Sequence, residues 1–400
     1  MFRQGQTIST MLTACLMFVG CAVNRPTLPE AELEARHAAF MAAEKADTAA
    51  GLEKLCGRVA REKAAFAAGS NPAPPILDVL ILSGGGDYGA FGAGVLTGWG
   101  LVEDPVMRRP LFDVVTGVST GALIAPFAFV GSDPAYERVL ELYKDPRDDW
   151  VKLRGLLFFL PGRSSFLTTR GLERDIRAQI DSDMLADIAR GHADGRSLII
   201  GTTNLDLGVL QTWDASRVAA NPVHAPAFDH FYKILLASSA IPAAFPPVVI
   251  DDTLYVDGGT TANIVINLDP RDPYSLVNTW KKLHEYEPLP KIRFWVIINN
   301  QLGSRPQVVQ PSWFSITTSS LATSIRSSTI ATLDILSLHC ELLRRDENLD
   351  VELRYIAIPD EWRAPEPGIF KKKTMESLAA LGVTVGTDPA RWISQSPRND

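Results

Sequence analysis

The sequence predicts an α/β fold built around a mostly parallel central sheet. Four aliphatic runs, typical of strands buried on both faces, recur along the chain with helical stretches between them. Glycine-rich segments follow two of these runs and lead into helices, as loops at the carboxyl ends of parallel strands do. A chain of 400 residues is long enough for a large core of this kind.

The composition places the chain among ordinary globular proteins and argues against nucleic-acid binding. Apolar residues make up 46% of the chain and charged residues 21%, both usual for a folded domain. The net charge is −7, and no run of Lys and Arg supplies a local basic surface. A nucleic-acid partner is therefore not expected.

Residues 1–20 indicate a signal peptide of the lipoprotein type. A ten-residue apolar stretch, too short to span a bilayer, ends in "FVGC", which resembles the lipobox of bacterial lipoproteins. The resemblance implies that Cys21 is lipidated and becomes the mature N-terminus. Ala22 after it favours the outer membrane of the cell envelope, on the periplasmic face. Cys15 in "LTAC" and an ordinary signal peptide are the alternatives.

Cys56 and Cys340 are the thiols that a mature chain would keep, and we expect both to be free. No CxxC or HExxH spacing occurs, so the sequence offers no support for a metal site. We expect a protein without a metal or other cofactor.

Residues 21–75 are predicted to form a helical tether ahead of the main domain. The Ala- and Glu-rich segment 28–68 repeats apolar residues at helical spacing on both sides of Gly51, which predicts two amphipathic helices. "GSNPAPP" then forces an extended connection.

Residues 76–268 are predicted to form the main domain, and residues 269–400 a C-terminal α/β extension that completes it. The extension is predicted to hold a Ser/Thr-rich helix over 312–345 and a last helix near 372–382. The predicted strands are "ILDVLILS", "FDVVTGV", "SLIIGTTNL", "TLYVDGG", "KIRFWVIINN" and "DVELRYIAI".

The first glycine-rich loop, "SGGGDYGAFGAGVL", is suited to hold an anion. The amides of Gly84, Gly85 and Gly86 have few side chains around them, and a helix N-terminus beside them adds positive potential. Two other interpretations are open. The loop fits a dinucleotide fingerprint ending at Gly89, with Asp104 as its acidic residue, or its glycines serve only tight strand-to-helix packing.

The second loop, "GVSTG", predicts a nucleophile. It is a GxSxG segment between a buried strand and a helix, where a strained turn projects the serine from the sheet edge. Gly117 and Gly121 remove the side chains that would collide with this turn. Ser119 is therefore the candidate nucleophile, and the Gly84–Gly86 amides are candidate donors to its oxyanion. Asp257 lies in "YVDGGTTAN", which by itself also fits an ordinary Asp-Gly turn.

The motifs taken together resemble the patatin-like phospholipase family. Their order is "GGGDYG", "GVSTG" and "DGG", with "ASSAIPAAFPPV" shortly before the last, and the resemblance covers roughly residues 76–268. It implies a three-layer α/β/α fold and hydrolysis of lipid acyl esters. It also implies a Ser119–Asp257 dyad with Asp257 as base, and an oxyanion loop formed by Gly84–Gly86. Gly89, Gly117, Gly121, Gly258 and Gly259 are the remaining motif glycines.

Two positions depart from the family pattern. Tyr88 stands where the family loop usually carries Arg or Lys, so a fixed cation near the oxyanion is missing. The proline that usually follows the Asn of the "DGG" segment is also absent, since Ile264 follows Asn263.

The expected partners are membrane lipids, with phospholipid as substrate. "RGLLFFLPGRSSF" (154–166) is either an acyl-chain wall or lid with arginines near headgroups, or an ordinary buried segment; Trp313, Phe314 and Ile316 raise the same question. Two rival functions remain: a Ser-His-Asp esterase using His284 or His339, and a non-catalytic lipid-binding lipoprotein. A dinucleotide oxidoreductase leaves "GVSTG" and "DGG" unexplained.

Overall fold

The computed structural model describes residues 27–153, 165, 167–221, 227–267, 271–285, 287–304 and 306–395. The strands within these ranges are β1 (Ile76–Leu82), β2 (Val114–Val118), β3 (Lys152–Leu153), β4 (Leu167–Thr168), β5 (Ser197–Asn204), β6 (Val209–Asp214), β7 (Val248–Ile250), β8 (Thr253–Asp257), β9 (Lys291–Ile298) and β10 (Val351–Ala357). The helices are α1 (Glu30–Ala67), α2 (Gly89–Trp99), α3 (Thr120–Val130), α4 (Asp133–Lys144), α5 (Arg170–Gln179), α6 (Ser182–Ala193), α7 (Ala215–Ala220), α8 (Ala227–Ser238), α9 (Leu276–Leu283), α10 (Trp313–Asp346) and α11 (Lys372–Gly386). Short 3-10 turns lie at Gly86–Tyr88, Gly258–Thr260 and Pro389–Arg391.

An eight-stranded sheet forms the centre of the described chain, in the order β10-β9-β1-β2-β5-β8-β7, with β6 also paired to β5. The pairs from β10 to β5 are parallel, whereas β6, β7 and β8 pair antiparallel. The predicted α/β class with a mostly parallel sheet is confirmed, and each predicted strand segment contains a strand. The separate β3–β4 pair is antiparallel.

The sheet is covered on both faces, which makes the three layers. Along β1, Leu80 and Leu82 belong to one hydrophobic cluster, while Val79 and Ile81 belong to another. Because successive side chains of a strand point to opposite faces, the two clusters lie on opposite sides of the sheet. This double burial is why the strands are aliphatic throughout rather than alternating with polar residues.

The second cluster contains both predicted free thiols. Cys56 and Cys340 are buried and free. Burial raises the pKa of the Cys56 thiol to about 11 and that of the Cys340 thiol to about 12, because an apolar environment disfavours a thiolate.

The N-terminal segment corrects one prediction, because the two expected helices are a single helix. α1 runs from Glu30 to Ala67 and passes through Gly51 without a break. A glycine inside a helix costs about 1 kcal/mol relative to alanine, and burial of Leu55, Cys56 and Val59 against the sheet outweighs that amount. Tertiary packing therefore overrides the local signal at Gly51.

β8 pairs with the part of one β5 edge that β2 leaves unpaired, and this arrangement positions the site. β6 pairs with one edge of β5 along Ile199–Asn204, so β2 and β8 share the other edge. β2 ends with Val118 opposite Gly201, and Asp257 of β8 lies opposite Thr202, the next residue. Ser119, which follows β2, and Asp257, the last residue of β8, are thereby brought together.

The strands after residue 268 extend the same sheet. β9 pairs with β1 along its whole length, and β10 pairs with β9.

No helix within the described ranges is both long enough and apolar enough to cross a membrane. The predicted signal peptide, Cys21 and nearly all of segment 154–166 lie outside the described residues, as do the side chains of Trp313 and Phe314. The proposed domain boundaries stay a prediction.

Candidate active site

Ser119 occupies the sharp turn between β2 and α3. Its φ of 54° and ψ of −125° are unusual for a residue with a side chain, and a nucleophile elbow imposes such a conformation. A Cβ on Gly117 would lie 2.5 Å from the carbonyl oxygen of Gly121, and a Cβ on Gly121 would collide with the backbone of Leu82. These glycines are therefore needed for the close packing that holds the turn.

Two serines from the end of α8 fix the backbone of the elbow. Ser238 Oγ accepts a hydrogen bond from the Ser119 N–H (2.9 Å) and donates one to the carbonyl oxygen of Gly201 (2.6 Å). Ser239 Oγ donates to the Ser119 carbonyl oxygen (3.2 Å). The "ASSAIP" segment thus ties the nucleophile to β5.

Asp257 is buried at the end of β8, next to Ser119. Its Oδ1 accepts a hydrogen bond from the Gly259 N–H (2.8 Å), whereas its buried Oδ2 has no partner at hydrogen-bond geometry within the described chain. Burial raises the pKa of the Asp257 carboxyl to about 7, and the nearby Ser119 hydroxyl and the Gly259 amide partly offset this rise. Ser119 and Asp257 are therefore adjacent, and Oδ2 of Asp257 makes no hydrogen bond within the described residues.

The first glycine-rich loop passes directly over the serine. A Cβ on Gly84 would lie 3.0 Å from Cβ of Ser119 and would collide with Oδ1 of Asn263. No hydrogen bond within the described chain uses the amide of Gly84, Gly85 or Gly86 as donor. The loop therefore presents unused N–H groups beside the nucleophile, as an oxyanion hole requires.

Asn299, just after β9, holds this loop in place. Its Nδ2 donates to the carbonyl oxygen of Ser83 (2.8 Å), and its Oδ1 accepts from the N–H of Gly92 (3.0 Å). A Cβ on Gly85 would collide with the Asn299 carbonyl oxygen. The strand side and the helix side of the loop are thus clamped by one buried amide.

The other motif glycines allow close approach around the two loops. A Cβ on Gly89 would collide with the Thr120 hydroxyl, and a Cβ on Gly258 would collide with the carbonyl oxygen of Gly201. Gly259 supplies the amide bonded to Asp257, and a Cβ there would lie 3.0 Å from Oδ1 of that carboxylate. The structure brings all the predicted motif residues to one end of the sheet.

Tyr88 and its neighbour Asp87 join the glycine loop to the C-terminal part of the chain. The ring of Tyr88 packs edge-on against Trp362, with 5.4 Å between centroids. The buried Asp87 accepts a hydrogen bond at Oδ2 from the Phe370 N–H (2.8 Å). Burial raises the pKa of the Asp87 carboxyl to about 6, and the Phe370 N–H partly offsets the rise.

A small apolar cavity adjoins Ser119. Its volume is about 30 Å³, and Ser119, Gly86 and Thr120 are among the residues that line it. That volume holds roughly two water molecules. Its remaining walls are mainly aliphatic and aromatic, from α3, α4, α5, the loops after α4 and α8, and the C-terminal region: Leu123, Leu142, Trp150, Leu172, Ile176, Phe245 and Phe370.

The histidines of the rival triad have no place beside Ser119 in the described chain. No histidine lines the cavity, and the His284 ring stacks on Trp280 with 4.3 Å between centroids. His339 lies within α10, far along the helix from the part that approaches the dyad loop. No cluster of three or more His, Cys, Asp or Glu in the described ranges could hold a metal ion.

A separate Ser, His and Asp cluster occurs at the start of α7, but it is structural. Ser216 Oγ lies 3.1 Å from Nδ1 of His192 and 2.5 Å from Oδ1 of Asp214. Ser216 is fully buried, and Asp214 caps α7 by accepting from the Arg217 N–H. A substrate has no access to this hydroxyl.

Asp104, the acidic residue of the dinucleotide alternative, caps a turn instead. Its Oδ1 accepts hydrogen bonds from the N–H groups of Val106 (2.8 Å) and Met107 (2.9 Å). The carboxylate is engaged in local backbone geometry, so the fingerprint has no ribose ligand at this position.

Comparison with known proteins identifies a matching family model and similar solved structures. The family model described as "Patatin-like phospholipase" matches residues 80–268, which include the glycine loop, the elbow and Asp257. These residues are a patatin-like phospholipase domain. The chain is also similar to the crystal structure of VipD from Legionella pneumophila, at 11% identity and a TM-score of 0.37 over 78% of this chain and 67% of that one. No curated protein matches the chain.

Membership of this family implies hydrolysis of lipid acyl esters. Three of the residues that shape its site were not predicted from the sequence: Ser238, Asn299 and Phe370. Ser238 lies in "ASSAIP", a segment noted only for its likeness to the family. Asn299 and Phe370 lie beyond residue 268, and no motif distinguishes them.

Proposed function

We propose that the protein cleaves lipid acyl esters through a Ser119–Asp257 dyad, in the manner of a phospholipase A or lysophospholipase. The observation that carries the proposal is the adjacency of a strained, buried serine and a buried carboxylate whose Oδ2 is unpartnered. The unused amides of Gly84–Gly86 lie beside the same serine. A nucleophile, a proton acceptor and oxyanion donors are what acyl transfer needs.

The reaction follows from these positions. Ser119 Oγ attacks the ester carbonyl carbon while Asp257 accepts the hydroxyl proton, and the glycine-loop amides bind the oxyanion. The intermediate collapses, the C–O bond to the alcohol breaks, and Asp257 returns the proton to the leaving oxygen. Water then attacks the acyl-serine with Asp257 again as base, which releases the fatty acid and restores Ser119.

The role of Asp257 separates this dyad from a triad. Hydrolysis of a chromogenic acyl ester by the purified full-length chain is expected to fall to background in Ser119→Ala. Asp257→Asn is expected to be nearly as inactive, because residues that act as one unit are not additive. His284→Ala and His339→Ala are expected to stay within about tenfold of wild type, a difference of about 1.4 kcal/mol in the barrier.

The controls decide between the alternatives. All four variants need the circular dichroism spectrum and urea midpoint of a folded chain. A histidine variant as inactive as Ser119→Ala, together with an active Asp257→Asn, would overturn the dyad. Complete inactivity of the folded wild type on phospholipid, lysophospholipid, triacylglycerol and short-chain esters would instead favour the non-catalytic lipid-binding alternative.

We also propose that the mature protein is tethered to a membrane through a lipidated Cys21, on the periplasmic face of a bacterial outer membrane. The "FVGC" segment and Ala22 support this proposal. A tether would keep the enzyme at the surface that contains its substrate, which raises its effective concentration there.

A further inference from the structure

The apolar cavity beside Ser119 is too small for a fatty acyl chain. About 30 Å³ is room for roughly two water molecules. A longer acyl group buried in this cavity therefore requires one of the lining side chains to move. The walls differ in how firmly the fold holds them.

Most of the walls belong to the packed interior. Leu123 lies in α3, and Leu172 and Ile176 lie in α5, whose side chains are part of the main hydrophobic cluster. Displacing any of them would disturb close-packed helices, which tolerate even one extra methylene poorly.

Phe370 is different because it comes from a long connection without regular structure. The connection, residues 358–371 between β10 and α11, is called the strap below. The strap lies outside the matched patatin-like residues and returns across the glycine loop, where Trp362 packs on Tyr88. It brings one aromatic ring into the apolar cavity beside Ser119, called the acyl cavity below for its proposed role.

The backbone of Phe370 is held in an uncommon conformation. Its φ is +54°, a value that bulky residues rarely adopt and that persists only where the surroundings impose it. Two sets of contacts do so here. The Phe370 N–H donates to the buried Asp87 (2.8 Å), and the Phe370 ring packs on Trp150 (6.2 Å) and Phe245 (6.3 Å between centroids).

These contacts separate the role of the backbone from that of the ring. The hydrogen bond to Asp87 fixes the strap to the glycine loop and uses only the main chain of Phe370. The ring itself makes aromatic contacts and fills the cavity. A change of side chain therefore alters the cavity while it leaves the attachment to the loop intact.

We propose that Phe370 is a specificity-determining residue whose ring closes the acyl cavity and limits the length of acyl chain that the Ser119 site accepts. The inference rests on the proposed esterase activity and deepens it by naming the substrate feature that this chain selects. The same proposal explains why Tyr88 replaces the Arg or Lys that is usual in the family: its ring packs against Trp362 and holds the strap, and it supplies no cation.

The test is the chain-length profile of ester hydrolysis. Soluble p-nitrophenyl esters from acetyl to decanoyl, each below its critical micelle concentration, are hydrolysed by the full-length wild type, Phe370→Ala and Phe370→Trp. The ratio of kcat/KM for decanoyl to that for butyryl is expected to rise at least tenfold in Phe370→Ala, because added methylenes become buried. It is expected to fall in Phe370→Trp, whose larger ring narrows the cavity.

Ile369→Ala is the matched control, since Ile369 is the adjacent strap residue and its side chain is 56% exposed. Its profile is expected to equal that of wild type. Phe370→Gly removes the same ring and also tolerates the positive φ, so it replaces Phe370→Ala if the alanine variant does not fold. A second measurement, labelling by alkyl fluorophosphonates of graded chain length with Ser119→Ala as blank, reports acceptance of the chain without turnover.

The outcomes separate the two proposals. Activity with an unchanged profile in both ring-removal variants overturns the role of Phe370 and leaves the esterase proposal standing. The same shift in Ile369→Ala also overturns it, since the strap as a whole would then be responsible. Absence of any Ser119-dependent hydrolysis or labelling overturns the esterase proposal and, with it, this inference.

Discussion

The chemistry of the site depends most on the environment of one carboxyl group. Asp257 is buried with one oxygen bonded to Gly259 and the other unpartnered, and its pKa is raised to about 7. A carboxylate with an ordinary pKa would be a weak base toward a serine hydroxyl. Burial therefore makes Asp257 a stronger proton acceptor without a histidine, at the expense of full ionisation at neutral pH.

The raised pKa predicts the pH dependence of the rate. Asp257 acts as a base only when it has lost its proton, so kcat/KM is expected to rise with pH and to reach half its maximum near pH 7. Below pH 6 the rate is expected to fall about tenfold per pH unit. The measurement is initial-rate hydrolysis of a soluble ester from pH 5 to 9, with the Ser119→Ala rate subtracted.

Asp87 is the control for this profile because its pKa is also raised, to about 6, and it lies in the same glycine loop. Asp87→Asn keeps an acceptor for the Phe370 N–H but no longer titrates. The midpoint is expected to stay near pH 7 in this variant. A midpoint that moves with Asp87→Asn, or a flat profile in the wild type, would assign the titration to a group other than Asp257.

At the scale of elements, the glycine loop depends on a strand outside the patatin-like residues. Asn299 follows β9 and bonds both ends of the loop, at Ser83 and Gly92. The elbow depends in the same way on Ser238 at the end of α8. Loops that bind a transition state are only as precise as the elements that hold them.

Loss of the Asn299 side chain is expected to weaken both the fold and the catalysis. Asn299→Ala removes the buried hydrogen bonds to the Ser83 carbonyl and the Gly92 amide and leaves a buried space where the side chain was, so the free energy of unfolding is expected to fall by about 2–4 kcal/mol. We expect kcat/KM to fall at least tenfold. Urea unfolding and ester hydrolysis, the latter at a temperature where the variant is fully folded, measure the two effects.

Asn300→Ala provides the comparison, since within the described chain the Asn300 side chain accepts only from the adjacent Gln301 N–H. It is expected to change the free energy of unfolding by less than about 1 kcal/mol and to leave the rate unchanged. Equal losses of unfolding free energy and of kcat/KM in Asn299→Ala and Asn300→Ala would show that this end of β9 affects the rate only through folding.

The sequence predicted the elements well where local pattern decides the structure. Aliphatic runs predicted the strands because burial on both faces leaves no choice of residue type, and glycine spacing predicted the elbow because only glycine fits there. The break at Gly51 was wrong because packing of Leu55 and Val59 outweighs a local preference. Asn299 and Phe370 were missed since their roles arise from distant segments that meet only in the fold.

At the scale of the whole molecule, the site lies where the patatin-like residues meet the C-terminal region. β9 and β10 extend the sheet beyond β1, and the strap between β10 and α11 returns to the acyl cavity. The catalytic groups come from residues 80–268, whereas a clamp and one cavity wall come from later residues. The proposed chemistry and the proposed selectivity are thus encoded in different parts of the chain.

The proposed tether leads to a prediction for the molecule in its cell. Metabolic labelling with a fatty acid is expected to mark the wild-type protein and not Cys21→Ser, because the thiol of Cys21 is the proposed lipidation site. The labelled protein is expected in the outer-membrane fraction after cell fractionation. Cys15→Ser, which removes the other cysteine of the leader, is expected to keep its label. Equal label in wild type and Cys21→Ser would contradict the tether.

The edge of β5 that β2 and β8 share has a consequence for biosynthesis. A chain that has left the ribosome only as far as β6 already contains the elbow and the helices around the acyl cavity, but no proton acceptor. Asp257 and then Asn299 arrive later, so the proposed hydrolytic activity is expected to begin only after β8 and β9 have joined the sheet. A nascent chain shorter than this is therefore expected to be unable to attack the membranes around it.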